Sequence, residues 1–321
     1  MVMSMNRKSY MSDRGRAVRS SRGRRLVPLL LMVCGCLSMG PALALGALDR
    51  VRASGKLTIG YLTDARPFSY TDSANKPAGY AVTVCGKIGD AVRTELQMPN
   101  LSVNIVPVAF DQRYQAVEQG TVDILCGAEP TLARRASADF SIPIMLHGTG
   151  VVIRADAPTR LKQVLSGQEA KANPVWRGSS GQAPERRKVA VIGGTALEKA
   201  LIDRLRMRHM IVDVVPVDHT SVGIQMVLTR QADAFFSDRA LLLDAVNRNA
   251  KATQLEVLDR VFQRDQIALA TQRDDGQLRL VIDRTLSQLI RSGEMQAIYR
   301  ANFGEPDRST LEMFEFVALP D

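Results

Sequence analysis

Residues Val122 to Ser141, VDILCGAEPTLARRASADFS, constrain the fold more than any other stretch of the chain. Val122 to Cys126 reads as a short buried strand, Gly127 and Pro130 turn the chain, and Thr131 stands where it would cap a following helix. Arg134 falls in the first turn of that helix, where the helix dipole is positive and favours an acid. It therefore needs a negative partner. If the strand belongs to an open α/β sheet, its carboxyl end lies where such sheets bind ligands, so a bound carboxylate could be that partner. A salt-bridged surface arginine is the plainer alternative.

The flanking sequence supplies that sheet. From Leu48 the chain reads as a short helix, a turn at Ser54-Gly55 and an alternating strand, Lys56 to Tyr61. PFSY at Pro67 to Tyr70 leads into a polar turn, and after Gly79-Tyr80 comes a helix with Val82, Val84, Ile88 and Val92 facing the sheet. Leu101 to Val108 is a second strand, and Arg113 to Glu118 a helix ended by Gly120. With the opening stretch this makes a β-α-β-α-β lobe. Ile144 to Arg154 is an extended crossing segment. Ser166 to Arg187, aperiodic and rich in Gly, Ser, Lys and Arg, reads as a flexible surface insert carrying the lone Trp176.

A second lobe follows the same plan. Lys188 to Ile192 is a strand, Gly193-Gly194-Thr195 a turn, and Ala196 to Arg208 a helix with Thr195 and Glu198 as a capping box. A strand, a glycine turn and a capped helix offer free backbone amides to an anion. Ile211 to Val217 is a strand, Val222 to Thr229 a helix, and Ala232 to Phe236 a strand ending at Ser237-Asp238. Ile267 to Ala270 returns to the first lobe. Leu278, Val281, Ile282, Leu289 and Ile290 mark an amphipathic helix stopped by Gly293, and a further helix finishes at ANFG, Ala301 to Gly304. The expected class is α/β, with two lobes joined by two strands acting as a hinge. Lobe 1 is residues 45–143 plus 265–321, lobe 2 is 149–261, and the hinge is 144–148 and 262–264.

The formal charge of +9 misleads, because residues 1–44 hold eight Lys/Arg and one Asp, leaving +2 for the rest of the chain. A nearly neutral body has no nucleic-acid footprint. A basic opening, an apolar run from Leu26 to Leu37 and the small residues Ala42 to Ala44 read as a secretory signal peptide over residues 1–44, cleaved after Ala44. A lipid anchor at Cys36 is the weaker reading. Export leaves Cys85 and Cys126 in an oxidising compartment, either joined as a disulfide or buried as free thiols.

Residues 48–304 resemble the extracytoplasmic solute-binding proteins of polar amino-acid ABC transporters, the family-3 periplasmic binding proteins of type II, or Venus-flytrap, fold. The resemblance rests on RASGKLTIGY, PFSY, Gly79-Tyr80, QAVEQGTVDILCG, ARRASADFS, Ala234 to Asp238 and RSGEMQAIYRANFG, in that order. Cys126-Gly127, the pair Asp218-His219 and the tail Phe314 to Leu319 look closest to the glutamate/aspartate-binding branch. The resemblance implies an amino acid held between the lobes, with Arg134 clamping its α-carboxylate and Asp238 taking its α-ammonium. Amides near Gly194 and Thr195 match the second lobe's grip on the carboxylate. Thr131 matches a hydroxyl of the first-lobe turn, Phe110 an aromatic wall, and His219 a histidine facing the ligand side chain. Two positions depart from the pattern. Glu129-Pro130 replaces a second hydroxyl residue in a loop one residue short, where Glu129 either reinforces the ammonium site or lies outside it. Tyr61 stands near the position of an arginine that takes a distal carboxylate, with Arg66 in the same loop as a substitute.

The expected protein is a periplasmic carrier: it needs no cofactor, works as a monomer and delivers a small amino acid to a membrane ABC permease. An enzyme of the cyclohexadienyl or arogenate dehydratase type resembles the same fold and would need a general acid, for which Glu129 or His219 could serve. No nucleophile elbow, phosphate loop or metal-spaced His/Cys set calls for it. A sensor input module is a third reading, but no membrane span or kinase follows in the sequence.

Overall fold

A ten-stranded mixed sheet forms the spine of the chain in the computed structural model, which describes residues 46–168, 186–207 and 212–320. The expected leader, Trp176 with the centre of the insert, His209 and Ile211 lie outside the described residues. Helix α1 (Ala47–Ser54) leads into β1 (Lys56–Tyr61) and a small sheet of β2 (Asp64–Ala65), β3 (Ser69–Thr71) and β4 (Pro77–Ala78). Then come α2 (Tyr80–Glu95), β5 (Ser102–Pro107), α3 (Arg113–Glu118), β6 (Ile124–Ala128), a 3-10 turn (Arg134–Ala136), β7 (Ala138–Phe140) and β8 (Met145–Arg154). The chain continues with α4 (Thr159–Ser166), β9 (Arg187–Ile192), α5 (Ala196–Met207), β10 (Val212–Val217), α6 (Thr220–Leu228), β11 (Ala234–Asp238), α7 (Arg239–Asn247) and β12 (Leu255–Val257). It closes with β13 (Arg264–Gln272), α8 (Gly276–Arg291), α9 (Glu294–Phe303) and α10 (Arg308–Val317).

The main path of the sheet runs β10-β9-β11-β8-β13-β6-β1-β5. Its two halves are built alike: β1 pairs in parallel with β5 and β6, and β9 pairs in parallel with β10 and β11. Among the described strands β8 and β13 link them, antiparallel, through Met145 to Gly148 and Arg264 to Ile267. Along β8 the partner changes between adjacent residues, since Gly148 pairs with Arg264 of β13 and Thr149 with Asp238 of β11. Burial follows the same division. Leu57, Ile59, Ile88, Leu269, Ile282 and Phe314 belong to a core under the first half, and Val152, Phe235, Leu242 and Val227 to one under the second. Tyr80, fully buried, donates its hydroxyl to the Ile144 carbonyl at 2.6 Å and so pins the chain where β8 begins.

Cys85 of α2 and Cys126 of β6 are joined by a disulfide, with Cα atoms 6.2 Å apart. The bond ties the first half's principal helix to the strand that leads into the Arg134 loop.

Several boundaries differ from those the sequence suggests. β6 begins at Ile124 rather than Val122, because the Thr121 and Val122 amides still close the turn of α3 on the Ala116 carbonyl and Asp123 Oδ2 accepts from the Thr58 amide. The strand then runs on through Gly127, whose φ of +91° favours glycine, to Ala128. The helix expected after Thr131 is a single 3-10 turn, since Ala138 to Phe140 is drawn into pairing with β13. The segment 166–187 is shorter than expected at both ends: Ser166 closes α4 and Arg187 opens β9. Helices α4, α7 and α10 were not expected, although α4 and α10 are amphipathic.

Candidate functional site

Between the two halves lies a cavity of about 130 Å³. Its wall combines Phe68, Phe110, Arg113, Tyr114 and Glu129 of the first half with His147 and Thr149 at the seam and Thr195, Ser237 and Asp238 of the second. Each polar group is placed by an element end. Glu129 immediately follows β6, Thr195 opens α5, and Asp238 is at once the last residue of β11 and the cap of α7. The polar groups therefore gather at the carboxyl ends of parallel strands, where open α/β sheets bind ligands.

The Arg134 side chain points along this gap, not into solvent. Nη1 donates to Glu129 Oε2 at 2.6 Å and to the Glu129 carbonyl at 3.1 Å, while Nη2 reaches the Gly194 carbonyl of the other half at 3.4 Å. The guanidinium also lies 4.4 Å from the centre of the Tyr114 ring. Neighbouring Arg135 is exposed and packs over Phe140, which fixes Arg134 as the arginine facing the gap. Burial would raise the Glu129 pKa. The hydrogen bond and charge of Arg134, with His147 and Arg113 behind it, outweigh burial and hold the carboxyl below its ordinary range.

Asp238 divides its two oxygens. Oδ1 accepts from the Ala240 and Leu241 amides at 2.8 and 3.1 Å, capping α7, and Oδ2 lies 3.1 Å from His147 Nδ1. Thr195 donates to the Ile192 carbonyl at 2.7 Å and accepts from the Glu198 amide at 3.1 Å; Glu198 in turn accepts from the Gly194 amide at 2.8 Å. The capping box is present, shifted by one residue. Its consequence is that the Gly194 amide, expected to hold an anion, already holds a carboxylate of its own helix.

Thr131, Tyr61 and His219 lie off the cavity wall, as do Gly194 and Arg134, the latter meeting the wall through Glu129. The Thr131 hydroxyl accepts from the Arg134 amide at 3.2 Å, so it shapes the loop. Tyr61 is buried with its hydroxyl 2.8 Å from Thr71 Oγ1, because β3 lies alongside the end of β1. His219 caps the first turn of α6 from an exposed position and faces Asp64 across the gap at 3.2 Å. Arg66 likewise crosses the gap, to Asp244 at 3.3 Å.

Arg113, Tyr114 and His147 belong to the wall and were not singled out from sequence. Arg113 is 5% exposed, and its guanidinium stacks 3.6 Å from the Phe110 ring while donating to the Phe110 carbonyl. It opens α3 as an arginine in a first helical turn, the same anomaly that marks Arg134. The Tyr114 hydroxyl accepts from the Glu129 amide at 3.1 Å. His147 interrupts the otherwise apolar opening of β8, which was its one sequence signal.

Comparison with known proteins agrees with this geometry. The family described as bacterial extracellular solute-binding proteins, family 3, matches residues 57–305. The L-glutamate/L-aspartate-binding protein of Pseudomonas aeruginosa is 26% identical over 289 residues, covering 88% of this chain and 89% of that one. The glutamate/aspartate import solute-binding protein of Salmonella typhimurium is 24% identical over 268 residues, covering 83% and 82%. The crystal structure of the ancestral amino acid-binding protein AncCDT-1, a precursor of cyclohexadienyl dehydratase, superposes with a TM-score of 0.64 at 23% identity, covering 80% of this chain and 99% of that one. The likeness shows the fold, that of type II periplasmic binding proteins.

Proposed function

We propose that this chain, which belongs to the bacterial extracellular solute-binding proteins of family 3, captures an acidic amino acid between its two halves and delivers it to a membrane ABC permease. The observation that carries this reading is a small cavity walled from one side by Glu129, which holds the Arg134 guanidinium, and on the other by the Asp238 carboxylate. A charged donor facing a charged acceptor suits an α-amino acid, and each charge-assisted hydrogen bond contributes roughly 1.5 to 3 kcal/mol. The volume suits a small solute, since an apolar cavity of about 150 Å³ holds benzene.

A second guanidinium favours an acidic ligand. Arg134 is paired with Glu129, and Arg113 adds a further cation to the cavity wall. Arg113, buried in the wall with its guanidinium 3.6 Å from the centre of the Phe110 ring and 4.8 Å from that of Tyr114, is the group we assign to the distal carboxylate. Tyr61 and Arg66 are turned elsewhere. The relatives named as glutamate/aspartate-binding proteins support the same ligand class.

The two groups that the sequence offers a dehydratase as general acid do not serve, since Glu129 is held ionised by Arg134 and His219 lies off the cavity wall. In our reading the chain is exported to the periplasm as a monomer with its leader removed after Ala44, and the disulfide suits that compartment. Among the described residues no helix is long and apolar enough to cross a membrane.

A thermal-shift screen of the purified protein against the twenty amino acids tests the reading, because a ligand that binds only the native state raises the melting temperature. Glutamate or aspartate should give the largest shift. Turnover of prephenate or arogenate, or a shift with neither acidic amino acid, would contradict it.

A further inference from the structure

His147 sits one residue before β8 exchanges its partner, at the seam between the halves. Side chains alternate along a strand, so His147 and Thr149 share a face, and both line the cavity. Nδ1 is engaged by Asp238 Oδ2 at 3.1 Å. Nε2 is buried and, among the described residues, meets no hydrogen-bond partner.

Three carboxylates face the ring from three elements: Asp238 from the end of β11, Glu129 from the loop after β6, and Asp265 from β13, directly across the ladder. Burial alone would lower the imidazole pKa. The hydrogen bond and charge of Asp238, then Glu129 and Asp265, overcome that and raise it. An imidazolium donates from both nitrogens, and a buried charged donor left without an acceptor is costly. His147 lines the cavity, so a ligand seated there is a candidate acceptor.

Resting on the amino-acid reading, we propose that His147 is a ligand-binding residue whose Nε2–H donates to a carboxylate oxygen of the bound amino acid while Nδ1–H stays on Asp238. The ring then ties the acid that receives the ligand's ammonium to the carboxylate of the same ligand. It also excludes a cationic ligand group from that stretch of wall.

The chain has three histidines, which makes the imidazole ¹⁵N spectrum of the whole protein simple to assign. The His147 signals are those missing from His147→Asn. Saturation with the amino acid that most raises the melting temperature should move the His147 Nε2 resonance and leave it protonated at about pH 7.5. Calorimetry should show binding to His147→Asn weakened at least about tenfold, with the pH dependence of the wild-type affinity between about pH 6 and 9 removed. A resonance unmoved by a bound ligand overturns the proposal even if His147→Asn binds more weakly, since the ring would then only position Asp238. An unchanged affinity and pH profile in the variant overturns it as well. If no amino acid raises the melting temperature, the amino-acid reading falls first and this proposal with it.

Discussion

Arg134 and Glu129 form an ion pair at the rim of the cavity, 2.6 Å between Nη1 and Oε2, while the same guanidinium reaches 3.4 Å to the Gly194 carbonyl of the other half. One side chain thus touches both sides of the gap and already carries a carboxylate from its own loop. A ligand carboxylate arriving there shares the cation with Glu129.

Sharing predicts competition. Glu129→Gln should tighten binding of glutamate or aspartate by about tenfold, roughly 1.4 kcal/mol, because a like charge beside the ligand carboxylate is removed. Calorimetry at neutral pH measures it. Weaker binding would mean that Glu129 assists the ligand rather than opposing it.

Asp238 caps α7 and, on the proposed reading, also binds the ligand, and a pair of variants separates the two roles. Asn caps helices about as well as Asp, so Asp238→Asn should keep the stability of the protein yet lose most of its affinity. Asp238→Ala should lose both, with a stability cost of about 1 kcal/mol from the missing cap. Equal affinity in wild type and Asp238→Asn would remove the carboxylate from the binding account.

The two buried pairs should respond to pH in opposite directions. Glu129 has a folded pKa below its ordinary 4.5, so its contribution is full above that value and is lost as pH falls through the folded pKa. His147 has a folded pKa above 6.5, so its contribution is full below 6.5 and is lost as pH rises through the folded pKa. Urea unfolding should therefore show the advantage of wild type over His147→Asn shrinking from mildly acidic to alkaline pH. The advantage over Glu129→Gln should shrink in acid. Comparison with variants matters because burial raises the carboxyls of Asp123 and Asp283, which run against Glu129 in acid.

The Cys85–Cys126 bond closes a loop of 41 residues' separation and should stabilise the fold by about 2 to 4 kcal/mol. Reduction, or Cys85→Ser with Cys126→Ser, should lower the urea midpoint accordingly. Two titratable thiols in the unreduced, denatured protein lacking residues 1–44, and with them Cys34 and Cys36, would contradict the pairing.

Periodicity and turn chemistry made most of the strands and the longer helices legible. Arg113 to Glu118 appears as a helix with the expected bounds, and the turn at Gly193-Gly194-Thr195 is where the spacing puts it. Pairing decided what local pattern could not: β7 exists because β13 offers an edge to Ala138 to Phe140, and that pairing cuts the Arg134 helix to one turn. In the site, Arg134 stood out because an arginine in a first turn is locally odd, whereas Asp238 was marked by the family resemblance alone. Arg113 was equally odd and was passed over. His147 was hidden by its strand, because nothing in the residues around it says that β8 changes partner between Gly148 and Thr149.

Titration calorimetry of glutamate and aspartate into wild-type protein and Arg134→Ala tests the central claim most directly. The account predicts one ligand per wild-type chain and no measurable heat of binding to Arg134→Ala, in a variant that still unfolds cooperatively. Retention of wild-type affinity by a folded Arg134→Ala protein would contradict it.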